Sequence, residues 1–185
     1  MIEPRLHIEF NEATHYRGAM KRTSFEKMHC SIARSLEVIG DWWSPLIVRD
    51  LFLGVKRFDD LAEDLGISRN LLTRRLGALV ENRIVRRVAY SEKPLRYEYH
   101  LTEAGRGLVP ILAALTAWGD RWVASKEGKP ILFVHTGCGK KISAQVVCSG
   151  CGEALHADNL KALPGPGGAA KAGTKVIARK LAAMR

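Results

Sequence analysis

The stretch that most restricts the fold is residues 58–79, where two amphipathic runs meet at a glycine. In "RFDDLAEDLGIS", Phe58, Leu61 and Leu65 recur at helical spacing with four carboxylates around them, the pattern of a short helix with one buried side. Gly66 stops that helix and supplies the turn. Ser68 then caps a second helix, in which Leu72, Leu76 and Leu79 recur at three- and four-residue steps. Two short helices joined by a glycine turn form a helix–turn–helix. The charge is divided along the same line: residues 59–64 hold four acids and no base, and residues 69–96 hold eight bases and two acids. The sign changes at the turn.

The flanking sequence extends the unit. "SIARSLEVI" places Ile32, Leu36 and Ile39 at helical spacing, and Gly40 ends that helix. In "DWWSPLIVRDLFLG", Ser44 is the expected cap and Pro45 fits the first turn. Leu46, Ile47, Val48, Leu51, Phe52 and Leu53 make that helix apolar on most sides, which predicts the buried centre of the domain. Two strand-like runs follow the helix–turn–helix, "IVRRVAY" and "LRYEYHL", with "SEKP" as a hairpin tip. Thr102 is the expected cap of a long last helix with a stripe of Leu108, Ile111, Leu112, Leu115, Trp118 and Trp122. A long aromatic stripe on such a helix suits a subunit interface.

Composition narrows the partners. The 185 residues carry a formal net charge of +10, which favours a polyanion, nucleic acid or an acidic membrane surface. A hydrophobic content of 46% is enough for a packed core. No apolar run reaches the roughly 18 residues that span a bilayer, and "MIEPRLHIEF" has no leader-like pattern. The expected compartment is the cytoplasm, with no membrane partner. There, cysteines are more often metal ligands or reactive thiols than disulfides.

On the helix after Ser68, the leucines face the core, while Arg69, Asn70, Thr73 and Arg74 lie on the opposite or flanking sides near its start, with Arg75 beside them. That is where a reader helix meets the major groove. Arginine can donate twice to guanine, and asparagine can pair twice with adenine. Ser68 and the free amides of the first turn suit a phosphate. Arg86, Arg87, Lys93 and Arg96 on the hairpin are placed to reach phosphates or a minor groove. The expected partner is double-stranded DNA. No nucleophile–base pair, phosphate loop or paired-carboxylate signature accompanies these residues, so an enzyme is not expected.

Taken in order, the segments "CSIARSLEVIGDWWSPLIVRDLFLGVKRFDDL", "ISRNLLTRRLGALVENRIVRR" and "RYEYHLTEAGRGLVPILAALTAWGDRW" resemble the HxlR-type winged-helix transcriptional regulators, relatives of the MarR group. The resemblance covers about residues 30–122. It implies a homodimer on an inverted-repeat operator, with the helix after Ser68 as reader and the last long helix in dimerisation. The wing departs somewhat from the family's proline-rich tip, although Pro94, Arg96, Glu98 and Tyr99 keep its pattern. Neither the operator sequence nor a small-molecule effector is specified by the resemblance. Some relatives use a cysteine at the place of Cys30 to sense oxidants or electrophiles; the alternative for Cys30 is a small packing residue.

A second pattern lies beyond the family-like region. "HTGCGKKISAQVVCSGCG" holds His135-x2-Cys138 and Cys148-x2-Cys151, each pair followed by a glycine. Three thiolates and one imidazole complete a closed tetrahedral set, the chemistry of a structural zinc ion. His156 is the substitute for His135 as fourth ligand. So short a module would draw its folding energy from the metal.

The expected class is α+β: a mainly helical winged helix–turn–helix at 30–125, with a hairpin wing and a long dimerisation helix, plus a zinc-ribbon-like module at 131–156. Residues 1–29 form an N-terminal extension in which Met20 offers a second start. Residues 164–185 are Pro/Gly/Ala-rich and basic, which predicts a disordered tail with at most a transient helix in "KVIARKLAAM". The function read from these features is a dimeric, zinc-containing, sequence-specific DNA-binding regulator. The alternatives are a redox- or electrophile-sensing regulator acting through Cys30, and a protein or RNA interaction module built on the ribbon and tail.

Overall fold

The structure is a computed structural model, which describes residues 24–123 and 127–183. Most of the N-terminal extension, including the Met20 start, lies outside the described residues. Among those described, residues 24–109 and 160–183 form one compact unit, and residues 110–123 and 127–159 form another.

The first unit opens with α1 (Ser31–Ile39), α2 (Ser44–Phe52), α3 (Phe58–Leu65) and α4 (Arg69–Glu81). Of the residues at helical spacing on α1, Ile32 is 71% exposed and Leu36 is exposed too, Ile39 is half-buried, and Ala33 is the residue buried. Helix α2 is buried on one side only. Ile47, Val48 and Leu51 enter the core, and Leu46, Phe52 and Leu53 stay exposed. Its cap also differs from expectation. Ser44 is the first helical residue, and Asp41 does the capping: its Oδ1 accepts from the N–H groups of Trp43 and Ser44, both at 3.0 Å. The buried Ser44 hydroxyl donates to Asp41 Oδ2. An aspartate three residues earlier serves both orphan amides and the hydroxyl, so it replaces the serine as cap.

Gly66 takes the left-handed conformation between α3 and α4, with φ +58°, which residues carrying a Cβ adopt reluctantly. Ser68 then caps α4, its Oγ accepting from the Leu71 N–H at 3.4 Å. Leu61 of α3, Leu72, Leu76 and Leu79 of α4, and Ile84 and Val85 beyond it close the core over α2. Fully burying each such side chain is worth about 1.5–3 kcal/mol.

The wing is an antiparallel hairpin of β1 (Val85–Glu92) and β2 (Leu95–Leu101). Its register slips between Ala89 and Ser91, leaving Tyr90 at a bulge. Beside β2, the segment ahead of α3 adds a short third rung: Tyr99 N–H donates to Lys56 O at 2.9 Å, and Arg57 bridges to Glu98. Thr102 ties the wing base to the next helix. Its hydroxyl donates to Arg83 O at 2.6 Å and accepts from Gly105 N–H at 3.2 Å.

The long last helix expected from the stripe is broken in two, α5 (Glu103–Gly107) and α6 (Val109–Trp122), with Leu108 between them. Pro110 has no N–H to continue the ladder, and it forces the break just ahead of itself.

In the second unit, β3 (Phe133–His135) and β4 (Lys140–Ile142) make a short antiparallel ribbon, followed by a bridge between Val147 and Ala154 and a 3-10 turn at Ala157–Asn159. The C-terminal segment belongs to the first unit and carries α7 (Lys175–Ala183). Its composition builds no core, and none of its helical residues is buried. External bonds hold it instead: His29 N–H donates to Ala172 O at 2.9 Å and His29 Nε2–H to Gly167 O at 2.6 Å.

One buried charge makes a measurable prediction. Asp50 is 1% exposed, and its Oδ2 has no hydrogen-bond partner among the described residues. Burial raises its pKa above the ordinary carboxylate range; Arg49, 2.6 Å away, opposes the rise, and Asp64 adds to it. A raised carboxyl holds its proton more tightly in the folded chain. Between the ordinary carboxylate range and the raised value, stability should therefore fall as pH rises. Asp50→Asn should remove that slope and stabilise the protein at neutral pH. Urea unfolding across this window checks it; an unchanged slope in the variant would exclude Asp50 as the source.

Candidate nucleic-acid interface and metal knuckles

The capped start of α4 is solvent-facing. Ser68, Arg69, Asn70, Thr73 and Arg74 are all exposed, because Leu72, Leu76 and Leu79 fix the opposite side of the helix in the core. The hydroxyl of Thr73 donates to Arg69 O at 2.9 Å. Arg69 is held in place from α3: its Nη1 lies 2.6 Å from Asp59 Oδ1, and its guanidinium sits 4.9 Å from the centre of the Phe58 ring. Arg75 is separated from this group. It is only 29% exposed and turns to Asp41, with Nε 3.3 Å from Oδ1, so it braces the cap of α2. The sequence showed three arginines close together; their helical angles divide them between surface and scaffold.

The wing residues divide in a similar way. Arg86, Arg87, Lys93 and Arg96 are exposed. The register pairs Arg86 with His100 and Arg87 with Tyr99, and successive strand residues face opposite sides. Arg86 and Arg87 thus serve different faces, with Arg87 stacked 5.1 Å above Tyr97.

A groove of about 490 Å³ opens between the starts of α3 and α4 and the wing. Arg57, Arg69 and Arg96 line it together with Tyr90, Tyr97 and Tyr99. Sequence reasoning missed Arg57, which stacks 4.8 Å from the Tyr90 ring and pairs with Glu98 at 3.5 Å. The signal for it was a cation immediately before the first helix of the helix–turn–helix. Asp59, which orients Arg69, was read only as one of the outward carboxylates. Asp59 and Asp60 line the groove as well. The rings hold the guanidinium planes of Arg57 and Arg69, and each spends part of its N–H fork on a carboxylate, Glu98 or Asp59.

Cys30 is half-buried at the N-cap of α1, and its side chain makes no capping bond. The other three cysteines lie in the second unit. His135 Nδ1 is 3.4 Å from Cys138 Sγ. The Cys148 thiol is hydrogen-bonded by the Gly150 N–H at 3.4 Å, and by the backbone and side chain of Cys151. These donors hold its pKa below the ordinary thiol value.

The two loops, "HTGCG" and "CSGCG", repeat one design. In each, the last glycine donates to the carbonyl of the first residue at 2.8 Å: Gly139 to His135 and Gly152 to Cys148. Each of these glycines has positive φ, +69° and +77°. The inner glycine of the first loop makes room beside its donor, since a Cβ on Gly137 would meet the His135 ring at 3.0 Å. These are two preformed claws whose soft donors fit zinc. Among the described residues, no three His, Cys, Asp or Glu side chains converge as one group, so the claws stand as two pairs. His156 is not part of either; its N–H donates to Asn159 Oδ1 at 2.7 Å.

A helical bundle with a helix–turn–helix and a hairpin wing defines a winged helix–turn–helix protein. The HxlR-like helix-turn-helix family model matches residues 38–127. Over 141 residues the chain is 45% identical to an uncharacterized HTH-type transcriptional regulator of Mycobacterium tuberculosis, covering 76% of this chain and 89% of the relative. A cyanobacterial relative from Synechocystis, with the same description, is 39% identical over 61% of this chain and 85% of its own length. Among solved structures, the candidate transcription factor PA1607 is 36% identical with a TM-score of 0.66, covering 76% of this chain and 98% of that one. The candidate factor PA1374 from Pseudomonas aeruginosa is 39% identical with a TM-score of 0.51, covering 74% and 93%.

The chain belongs to the HxlR-like helix-turn-helix family, whose members are transcriptional regulators rather than enzymes. A match of 141 residues cannot fit within residues 1–127, so the likeness to the mycobacterial relative runs into the C-terminal module. No helix among the described residues is long and apolar enough to cross a membrane.

Proposed function

We propose that this protein is a sequence-specific regulator of transcription that binds duplex DNA as a homodimer on an inverted-repeat operator, and that each chain carries one structural zinc ion. The observation that carries the reading is the exposed start of α4, where Asn70, Thr73 and Arg74 stand clear of the core beside a basic wing. In this reading α4 enters the major groove, Asn70 and Arg74 read base edges, and Ser68, Arg86, Lys93 and Arg96 hold phosphates. Arg57 and Arg69, kept in place by aromatic rings and by Glu98 and Asp59, add to the charge along the groove.

The dimer reading is supported by α6, which leaves Ile111, Leu115 and Trp118 between 50% and 60% exposed, a row of large apolar side chains costly to keep in water. His135, Cys138, Cys148 and Cys151 offer one imidazole and three thiolates, the donor chemistry of a structural zinc ion, and the pairing of His135 with Cys138 favours His135 over His156 as fourth ligand. Such a protein works alongside the DNA it reads, in the cytoplasm.

Selection of bound duplexes from a random pool, followed by titration, tests the reading. Asn70→Ala and Arg74→Ala should each cost about 1–3 kcal/mol on the selected site and relax the preference at one base pair. Lys93→Ala should weaken all duplexes alike and reduce the salt slope by about one. Equal affinity of the unaltered protein for the selected and a random duplex would defeat the assignment.

A further inference from the structure

The claws do not stand free; the ribbon that bears them lies along α6 within one compact unit. Ala113, Thr116, Ala117 and Asp120 of α6 line a small cleft with Phe133 of β3 and Ile142 of β4. An ion pair closes its edge, with Lys129 Nζ 3.5 Å from Asp120 Oδ2 and Asp120 mostly shielded from water. The α6 residues that line this cleft are small or short. The large side chains of α6, Ile111, Leu115 and Trp118, fall elsewhere on it and remain exposed. Helix α6 thus has one side facing the ribbon and another exposed.

None of the residues of α6 is buried within the single chain, so little of its order comes from its own core. The ribbon has two three-residue strands and no buried residue, so it too lacks a core that would hold it alone.

We propose that the knuckle module is a metal-dependent splint on α6: one divalent zinc-class ion, drawn between the two claws, holds the ribbon against the Ala113–Thr116–Ala117–Asp120 side, and loss of the ion loosens the helix and weakens the dimer. This rests on the reading that His135, Cys138, Cys148 and Cys151 bind zinc and that α6 pairs two chains. Binding energy at the claws becomes packing energy along α6, because ligation supplies folding energy to a ribbon that has no buried residue of its own. Metal occupancy then sets how much of the protein is dimeric, and through this how tightly an operator with two half-sites is held.

The experiment uses the full chain with three readouts: zinc per chain by elemental analysis, dimer dissociation by sedimentation, and amide hydrogen exchange along α6. The unaltered protein should hold one zinc. Chelation, and separately Cys148→Ser, should raise the dimer dissociation constant tenfold or more and speed exchange in α6, while amides of α2–α4 keep their protection. Ala117→Arg crowds the ribbon off the helix without touching a ligand; it should keep its zinc and still weaken the dimer. One zinc per chain with dimer and α6 exchange unchanged on its removal overturns the splint and leaves the metal reading standing. Absence of zinc from the unaltered protein overturns the metal reading itself. Faster α6 exchange with an unchanged dimer overturns the step from helix to dimer.

Discussion

Leu72→Ala should destabilise the winged helix by about 2–5 kcal/mol, a large share of the roughly 5–15 kcal/mol that holds an ordinary domain together. Leu72 is fully buried on the inner side of α4, where it meets a core that includes Ile47 and Val48 of α2 and Leu61 of α3. Truncation removes apolar surface and also leaves a cavity among neighbours held by three helices, so little of the loss is recovered by collapse. Helix α4 owes its position to this contact, and the DNA binding proposed for it should fall with the folded fraction. Leu53→Ala offers the control. It is half exposed just beyond α2 and should cost no more than about 1 kcal/mol. Urea unfolding of both variants measures the difference; a Leu72→Ala protein as stable as Leu53→Ala would show that α4 is not anchored as described.

Gly105→Val should be nearly as damaging, at the upper end of the ~1–3 kcal/mol typical of overpacking. The backbone of Gly105 passes so close to the wing base that a Cβ built there would lie 2.2 Å from the Ile84 carbonyl oxygen and 3.2 Å from Leu101 Cδ2. The Ile84 carbonyl belongs to the backbone and cannot swing aside. It also accepts from the Thr102 N–H at 3.0 Å, so a shift would disturb the cap that joins β2 to α5. Gly107, two residues along the same helix, has nothing within 4 Å of its Cβ position. Gly107→Val should therefore register only the small difference in helix propensity. Thermal unfolding of the pair, with hydrogen exchange at β1, separates a packing constraint from a general intolerance of side chains in α5. Equal melting temperatures for the two variants would rule out the close approach.

The succession of elements was legible in the sequence because each is announced by local physics. Leu72, Leu76 and Leu79 carry the helical period, Tyr97, Tyr99 and Leu101 the strand period, and Gly66 with Ser68 the turn and cap between them. The pairings of His135 with Cys138 and of Cys148 with Cys151 were equally plain, since residues three apart in a glycine-flanked loop meet without help from the rest of the chain. What distance along the chain separates, local pattern could not assign. Asp41 rather than Ser44 caps α2, and it does so while also receiving Arg75 from α4. Arg69 is oriented by Asp59 and Phe58 across the turn, and Arg86 and Arg87 part company through strand alternation.

Three further outcomes depended on tertiary structure. Arg83 adopts a left-handed φ of +58° without any glycine-like cue, because the chain must turn there from α4 into the wing. Ile32 and Leu36 of α1 and Leu46, Phe52 and Leu53 around α2 stay outside, since one side of each helix is all that the single core can cover. The ribbon's place along α6 arises from short side chains on one helix meeting strands more than ten residues later. Periodicity is a property of neighbours in sequence, and it names the side of an element that avoids water. Which partner covers that side is settled only when the elements meet.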